Sequence, residues 1–432
     1  MKKISASSNP VAIKKLFLYQ FLLASCLACS GAEFPPVSEL PLRHDTPNPL
    51  VMLDGTPVTT KKQWFKKRRP ELLGLFQHYE YGWMPEPVDV TGKVTYVDTN
   101  FFKGRATLKL ETLTLGQGPR PVVHLLVVIP NNRPGPAPVF IGMNYSGNHT
   151  LVPDTNIPVP DAWMPSNIPK YDHVVHNRAT ADGRGKEIET WPLEEIVERG
   201  YAVVTYYCGD VEQDRTNAAD GVREIIQAPC APDGWSTLAA WAWGMERVMD
   251  YVSKDRELDQ KRMALIGQSR FGKATMVAGA FDERPALIVA LQAGCGGTAP
   301  SRSTAGESVK QINRFPDWFC QVFHEFNDQV ERLPFDQNCL IALCAPRPLL
   351  VGAAVQDSWT NPGGTFEMLQ SASAVYRLTG AEGLSARTMP ATNRLIDSNP
   401  GFFIRPGPHS QSRVDWGFIL DYADKYLPYA HQ

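Results

Sequence analysis

A serine between a strand pattern and a helix pattern is the first residue of this chain that could act as a nucleophile. Residues 263–266 form an apolar run typical of a buried strand, and Gly267-Gln268-Ser269-Arg270-Phe271-Gly272-Lys273 leads from it into a helical pattern. A tight turn of this kind exposes a serine hydroxyl at the end of a strand, and small residues flank the serine because the backbone turns sharply. The second glycine, Gly272, stands one residue later than the usual spacing. Because such turns also arise for structural reasons alone, the chemistry depends on the partners of Ser269.

A histidine is the partner that such a serine needs, since a hydroxyl is a weak nucleophile until a base removes its proton. In α/β-hydrolases the acid and the histidine follow the serine along the chain. The histidines that do so are His324, His409 and His431. His409 stands in the turn-rich segment 405–410, directly before the last predicted helix, where a loop can reach back over the sheet edge. We therefore predict His409 as the general base, with an exposed loop histidine as the alternative.

The acid that would orient this histidine is predicted from a strand end. The apolar run 348–354 is typical of a buried strand, and Asp357 follows it within three residues. Parallel sheets carry their sites at the carboxyl ends of their strands. Asp357 therefore completes the order serine, acid, histidine, although it could instead cap the helix that follows.

The elements that must position these residues alternate along the chain. Buried strands are predicted over 138–143, 201–207, 262–266, 287–291 and 348–354, and helices over 235–252, 271–281, 363–378 and 414–427. A helix over 61–81 and strands over 104–115 and 121–130 precede them, and 145–191 reads as a long loop near the site. This order predicts an α/β fold with a mostly parallel sheet between two helical layers. We expect residues 33–432 to form a single catalytic domain.

The composition excludes several classes of partner. The chain has 432 residues, 43% of them apolar, and 43 Lys and Arg against 45 Asp and Glu. A globular protein of this balance lacks the basic excess that nucleic acids and acidic membrane surfaces require. The nine histidines include no i, i+4 pair and the cysteine spacing is unlike a zinc site, so we expect no metal and no cofactor.

The amino terminus predicts export. Four lysines within residues 2–15 precede the apolar run 16–24, which is too short for a convincing membrane anchor and is typical of a secretory signal. Cleavage after Ala32 would give a secreted or periplasmic protein, whereas processing at Cys26 would leave a lipid anchor. The alternative is an amino-terminal core helix. Six cysteines, from Cys208 to Cys344, would remain, which allows disulfides without establishing any.

The segment around Ser269 resembles the Gly-Cys-Ser-Arg-x-Gly-Lys signature of the glucuronoyl esterases, carbohydrate esterase family fifteen. The resemblance extends from about residue 64 to residue 427, and further segments similar to bacterial members are 241–251, Gly294-Cys295-Gly296-Gly297, Trp318-Phe319, Pro334-Phe335-Asp336-Gln337 and 345–350. It implies an α/β-hydrolase fold and a serine esterase of the 4-O-methyl-glucuronoyl methylesterase type. Such enzymes cleave esters between the glucuronic acid side chains of xylan and lignin alcohols. The expected partners are thus glucuronoxylan and lignin–carbohydrate esters, and we expect a monomer.

Two positions depart from the family pattern. Gln268 replaces the cysteine before the serine, which removes one partner of the disulfide that tethers the nucleophile in fungal members. Many members carry their catalytic acid as a glutamate where this chain has Gln292. Since an amide cannot stabilise an imidazolium as a carboxylate does, we expect Gln292→Ala to matter little. The resemblance to other bacterial members agrees with Asp357 as the acid.

The resemblance also implies roles for four further residues. Arg270 would hold the oxyanion through its backbone N–H and its guanidinium, with a surface ion pair as the alternative. Lys273, one helical turn beyond Ser269, would bind sugar hydroxyls, whereas without the resemblance it reads equally well as a solvated helix residue. Glu307 and Trp359 are similar to sugar-contacting residues, although Trp359 could equally pack in the core.

Two other functions remain open at this point. An acyl esterase such as an acetyl xylan esterase would use the same triad but would leave Arg270 and Lys273 with less to do. A carbohydrate-binding homologue without activity is the other alternative, because Gln292 replaces the family's usual acid.

Overall fold

The computed structural model describes residues 34–119, 121–166, 172–216, 218, 220–226 and 234–428. The predicted signal segment, Cys26, Cys230 and His431 lie outside these residues. Among the described residues, no helix is long and apolar enough to cross a membrane.

One large sheet dominates the described part of the chain. In chain order the strands are β1 (Val90–Asn100), β2 (Ala106–Leu115), β3 (Val122–Pro130), β4 (Ala137–Asn144), β5 (Val174–Val175), β6 (Arg178–Ala179), β7 (Ala202–Tyr207), β8 (Leu258–Gln268), β9 (Leu287–Leu291), β10 (Leu349–Ala354), β11 (Arg394–Ile396) and β12 (Gly401–Arg405). The large sheet has the order β1-β2-β3-β7-β4-β8-β9-β10-β12-β11, and β5 pairs with β6 alone. The block from β7 to β12 is parallel, whereas β1 to β3 and β11 pair antiparallel at its two sides.

Helices cover both faces of the parallel block. The longer helices are α1 (Arg69–Phe76), α2 (Leu193–Glu198), α3 (Thr237–Val252), α4 (Arg270–Phe281), α5 (Gln337–Leu343), α6 (Pro362–Thr379) and α7 (Arg413–Tyr426). Shorter turns of helix are Lys61–Gln63, Phe101–Gly104, Val222–Ile225 and Val309–Ile312, and the segments Trp64–Arg68 and Gln77–Tyr81 continue α1 with wider π-type turns.

The side chains of β4 show how the three layers form. Val139 and Ile141 point to the core beneath α3, α4, α5 and α6, whereas Phe140 points to the opposite core beneath α2 and α7. Alternate residues of a strand face opposite sides of a sheet, so a strand buried on both faces must be apolar throughout. Each residue of β4 and of β9 is buried. The predicted three-layer sandwich with a mostly parallel sheet is therefore confirmed.

The edges of the sheet were harder to predict than its centre. The predicted interior strands and the helices over 61–81, 235–252, 271–281, 363–378 and 414–427 are confirmed to within a few residues. The strands β1, β11 and β12 and the helices α2 and α5 were not predicted. In β1 most residues are exposed, so its sequence carries no clear apolar alternation. The predicted loop over 145–191 is irregular apart from the short β5–β6 hairpin and single turns.

Candidate active site

Ser269 lies on a strained turn between β8 and α4. Its backbone has φ 60° and ψ −126°, a conformation that a residue with a side chain adopts only when its surroundings impose it. The Ser269 N–H donates to Leu291 O of the neighbouring strand at 2.8 Å. A Cβ on Gly267 would lie 2.2 Å from Phe271 O, so position 267 must be glycine. The turn thus forms as predicted.

The shifted glycine of this turn has a different task. A Cβ on Gly272 would lie 3.0 Å from Leu291 O, so glycine lets the first turn of α4 approach β9 closely. The position that usually carries the second glycine holds Phe271, which is buried against Tyr145 and Trp241. The turn therefore tolerates a large residue there because its side chain points into the core.

Asp357 and His409 are in direct contact. Asp357 follows β10 and His409 follows β12, the neighbouring parallel strand. His409 Nδ1 lies 2.6 Å from Asp357 Oδ2, and Thr360 Oγ1 donates to the same oxygen at 2.6 Å. Burial raises the pKa of the Asp357 carboxyl, but the hydrogen bonds from His409 and Thr360 outweigh it and hold that pKa below its ordinary value of 3.8. Asp357 is therefore an ionised acceptor, and His409 Nδ1 is the donor.

The other ring nitrogen of His409 faces the end of β8. His409 Nε2 lies 3.0 Å from the side-chain amide nitrogen of Gln268, the residue before Ser269. Since an amide nitrogen can only donate, Nε2 must be the acceptor in this contact. This contact occupies the lone pair of Nε2, so the Ser269 hydroxyl must displace the Gln268 amide before His409 can act as its general base.

The loop that carries His409 is wound around a buried guanidinium. Arg405, the last residue of β12, donates to Pro406 O at 2.8 Å, to Pro408 O at 3.3 Å and to Ser410 O. Its Nε also donates to both carboxylate oxygens of Asp415 on α7, each at 2.8 Å. The proline and glycine residues of this loop thus adopt one definite shape, and His409 is placed by that shape.

Arg270 is held by an acid and two aromatic rings. Its guanidinium pairs with Asp214 and stacks on Tyr145 and Trp318, with distances of 5.5 Å and 5.0 Å to the ring centroids. Trp318 Nε1 donates to the same carboxylate at 2.7 Å. The Arg270 side chain is 23% exposed, so the surface ion pair of the alternative interpretation is present but partly buried. This arrangement fixes a cation beside the nucleophile at little further entropic cost on substrate binding.

Lys273 lies in a buried cluster instead of in solvent. Its Nζ donates to Ala293 O at 2.7 Å, to Cys295 O, and to Glu307 Oε2 at 2.8 Å. Trp359 Nε1 donates to the other oxygen of Glu307 at 2.9 Å. The solvated interpretation of Lys273 is therefore wrong. Trp359 is 46% exposed, so it does not pack in the core.

Neighbouring strands bring all of the predicted site residues to one edge of the sheet. The turn with Ser269, Arg270 and Lys273 follows β8, whereas Asp357 and Trp359 follow β10, and His409 follows β12. Glu307 comes from a longer excursion after β9. Direct contacts join Asp357 to His409, and Lys273 and Trp359 to Glu307, while Gln268 joins the histidine to the nucleophile turn.

Several contact residues were not predicted as parts of the site. Thr360 supports Asp357, and Asp214, Tyr145 and Trp318 surround Arg270. Tyr145 also donates to Gln268 O at 2.6 Å, and burial raises the pKa of its phenol, with Arg270 acting in the opposite direction. The Trp318-Phe319 pair was part of the family resemblance, whereas Asp214 and Tyr145 lie in irregular segments that carry no periodic signal.

The described residues contain no group of three His, Cys, Asp or Glu side chains that could hold a metal ion. The five described cysteines, Cys208, Cys295, Cys320, Cys339 and Cys344, are buried, and no disulfide joins any two of them. Hydrogen bonds, and no disulfide among these cysteines, therefore hold the described part of the site.

Comparisons of the sequence give one family. A family model described as glucuronyl esterase of fungi matches residues 187–380. A carbohydrate esterase from an unknown prokaryotic organism is 39% identical over 394 residues, which are 89% of this chain and 90% of that protein. A 4-O-methyl-glucuronoyl methylesterase of Phanerochaete carnosa is 26% identical over 79% of this chain and 74% of its own length.

Solved structures agree with the sequence comparisons. A promiscuous esterase of carbohydrate esterase family 15, from a marine bacterial metagenome, superposes with a TM-score of 0.83 at 38% identity over 90% of this chain and 98% of its own. A glucuronoyl esterase from Solibacter usitatus gives the same TM-score at 35% identity over 90% of this chain and 99% of its own. The fold is thus that of the α/β-hydrolases. This chain belongs to the glucuronoyl esterase family, carbohydrate esterase family 15, and is a carboxylic ester hydrolase.

Proposed function

We propose that this chain hydrolyses esters of glucuronic acid through a covalent intermediate on Ser269, with His409 as the base and Asp357 as its partner. The observation that carries the proposal is the hydrogen bond of 2.6 Å between His409 Nδ1 and Asp357, together with the placement of the other ring nitrogen, Nε2, at the residue before the strained Ser269. Serine, histidine and acid in this relation supply both the nucleophile and its proton acceptor.

The first half of the reaction forms the acyl-enzyme. Ser269 Oγ attacks the ester carbonyl carbon while His409 Nε2 takes the hydroxyl proton, and Asp357 stabilises the resulting imidazolium. The negative charge that develops on the carbonyl oxygen is met by the Arg270 backbone N–H at the start of α4 and by the Arg270 guanidinium. The intermediate then collapses, the carbon–oxygen bond to the alcohol breaks, and His409 gives its proton to the leaving alcohol.

The second half consumes water. His409 removes a proton from a water molecule that attacks the acyl carbon, and the tetrahedral intermediate uses the same oxyanion donors. The bond to Ser269 Oγ breaks, and His409 returns the proton to that oxygen. The products are the free alcohol and glucuronic acid, and the enzyme regains its starting state.

The acid side of the substrate would lie over Lys273, Glu307 and Trp359. Glu307 retains acceptor capacity for a sugar hydroxyl, and the exposed indole face of Trp359 could pack on the apolar face of a sugar ring. Lys273 already donates to three acceptors, so a sugar hydroxyl would have to replace one of them. We propose (4-O-methyl-)glucuronic acid of glucuronoxylan as the acid and a lignin alcohol as the leaving group. The names of the relatives support the glucuronoyl part, whereas xylan and the lignin alcohol rest on the family resemblance.

We further propose that residues 33–432 form one monomeric catalytic domain that is exported to the periplasm or secreted. Ordinary signal cleavage would place the mature amino terminus near Glu33, and lipidation would place it at Cys26. Mass spectrometry of the processed chain distinguishes these outcomes, and a retained Met1 would contradict export.

The function is tested with a benzyl glucuronate ester. Wild type should release benzyl alcohol, and Ser269→Ala should lose this activity without losing its fold, since the hydroxyl is needed only for covalent chemistry. Ser253→Ala is a matched control, because Ser253 directly follows α3 and its hydroxyl donates to Asp250 O at 3.0 Å. Near wild-type turnover in Ser269→Ala would contradict the nucleophile. Faster hydrolysis of acetylated xylan than of the glucuronate ester by wild type would favour an acetyl esterase, and inactivity on both would favour a binding protein.

A further inference from the structure

The two positions that depart from the family pattern are in contact with one another. Gln292 follows β9 in the left-handed backbone region, with φ 48°, and its side chain is buried. Its Nε2 donates to Ser410 O at 2.8 Å, and its Oε1 accepts from Ser410 N–H at 2.9 Å. One carboxamide thus pairs with both backbone polar groups of the residue after His409.

This double contact also fixes the orientation of Gln268. Because Gln292 Oε1 must face the Ser410 N–H, it presents an acceptor to Gln268, whose Nε2 lies 3.4 Å away. The second proton of that nitrogen then points to His409 Nε2 at 3.0 Å. A reversed Gln268 amide would place its oxygen against Gln292 Oε1. The chain of contacts is consistent with one tautomer of His409, the one with its proton on Nδ1.

We propose that Gln292 and Gln268 are positioning residues that hold the His409 loop against the nucleophile turn and select the imidazole tautomer that can act as a base. This inference rests on the proposed roles of Ser269, His409 and Asp357. It replaces the expectation from the sequence that truncation of Gln292 would matter little. Gln292 does not act as the acid, since its contacts are to Ser410 and Gln268 and an amide cannot stabilise an imidazolium.

The loop has a second support, which separates positioning from folding. Arg405 donates to Ser410 O and to Pro406 O, and its own charge is balanced by Asp415. Loss of the Gln292 contacts should therefore leave the loop folded while His409 shifts relative to Ser269. A shift of this kind lowers turnover because the reacting atoms must be closely aligned, and it leaves sugar binding largely unchanged.

The test compares turnover and the Michaelis constant on a benzyl glucuronate ester for Gln292→Met and Gln292→Asn. Methionine has a similar size but forms no comparable hydrogen bonds, and asparagine suits the left-handed backbone but is one methylene too short to reach Ser410. In both variants kcat should fall about tenfold to a hundredfold, as two hydrogen bonds are lost, while KM should stay within about twofold. Gln268→Met in the Gln292→Met background should add less than about twofold, because both residues act through the same imidazole.

The matched control is Gln370→Met, which removes a glutamine on α6 that donates to Arg387 O at 2.8 Å and should leave kcat unchanged. Wild-type kcat in both Gln292 variants would overturn the inference, as would full additivity with Gln268→Met. Ser269→Ala and Asp357→Asn are measured in parallel. If those two variants stay active, the proposed function itself fails. If they are inactive while both Gln292 variants keep wild-type kcat, only the positioning role fails.

Discussion

The two sides of Ser269 are built differently. On one side, Asp357 Oδ2 accepts from His409 Nδ1 and from Thr360, and the histidine side chain is 39% exposed. On the other side, Arg270 and Lys273 lie among several partners each, and the Lys273 side chain is 4% exposed. The first side can transfer a proton, because His409 can accept one while the hydrogen-bonded Asp357 carboxylate stabilises the resulting imidazolium. The second side keeps its charges fixed.

This difference predicts how each side fails. Groups that transfer protons act only in the transition state, so their loss lowers kcat. Groups that hold a sugar act in the ground state as well, so their loss raises KM. The Arg270 side chain is held by several partners, like Lys273 on the second side, yet we propose that it stabilises the oxyanion. The Arg270→Ala variant therefore shows whether Arg270 acts mainly on kcat or on KM.

The largest effect in this comparison is expected from Asp357→Asn. An amide in place of the Asp357 carboxylate favours the wrong imidazole tautomer and cannot stabilise the imidazolium, so kcat should fall on the order of four powers of ten. Thr360→Val removes only the hydroxyl that supports Asp357 and should cost about tenfold or less. Steady-state kinetics on a benzyl glucuronate ester measure both. Full activity in Asp357→Asn would mean that Asp357 only caps the turn that follows it.

Arg270→Ala should come next, with kcat lowered about a hundredfold to a thousandfold and KM changed little, because the guanidinium is proposed to meet charge that exists only in the transition state. Arg270→Lys keeps the charge but loses the planar fork between Tyr145 and Trp318, so it should lie between wild type and alanine. The same ester assay separates the two constants. A pure rise in KM would move Arg270 from oxyanion stabilisation to substrate binding.

Trp359→Ala should raise KM by several-fold and leave kcat nearly unchanged, since its exposed indole is proposed to pack on the sugar ring. Trp359→Phe keeps an aromatic face but loses the N–H that donates to Glu307, so it should restore part of the affinity. The comparison uses initial rates over a range of ester concentrations. An unchanged KM in Trp359→Ala would place the sugar elsewhere.

The smallest effect on activity is expected from Glu80. This residue is buried and accepts from Gln337 Nε2 at 3.1 Å. Burial raises the pKa of the Glu80 carboxyl to about 8 from its ordinary 4.5. The folded state therefore holds this proton more tightly than the unfolded chain. Its contribution to the free energy of unfolding is complete below about pH 4.5 and is lost as the pH rises to about 8.

Glu80→Gln should flatten this pH dependence, which urea unfolding at several pH values measures. Glu39→Gln, at an exposed position, is the control and should keep the wild-type slope. Asp357 should act in the opposite sense, because its lowered pKa gives a contribution that is present above about pH 3.8 and is lost as the pH falls further. A wild-type slope in Glu80→Gln would mean that Glu80 is ionised in the folded protein.

Much of the fold was predictable because the centre of a parallel sheet is buried on both faces. The strands β4, β7, β9 and β10 appear in the sequence as short apolar runs, and α3 and α4 appear between them as longer segments rich in apolar residues. The strand β12, Gly401–Arg405, is equally buried but was missed, since its short run stands between prolines and no periodic pattern frames it.

The part of the site that could be predicted consists of residues that follow the ends of strands. Ser269, Asp357 and His409 follow parallel strands in a fixed chain order, so their meeting could be predicted. The contacts of Gln268 and Gln292 could not, because they depend on the orientation of two amides across neighbouring strands. The burial of Lys273 could not be predicted either. Two of its acceptors are the backbone carbonyl groups of Ala293 and Cys295, and every residue type has such a carbonyl.

The most direct test of the whole account is a crystal structure of the Ser269→Ala variant with a benzyl glucuronate ester bound. The account predicts the ester carbonyl carbon within about 3.5 Å of the place of the missing Oγ, since reacting atoms must start near that separation. It also predicts the carbonyl oxygen toward Arg270, the sugar hydroxyls toward Glu307 and Lys273, and the benzyl group pointing to solvent. A sugar ring bound away from Glu307 and Trp359, or an ester carbonyl beyond the reach of position 269, would contradict the account.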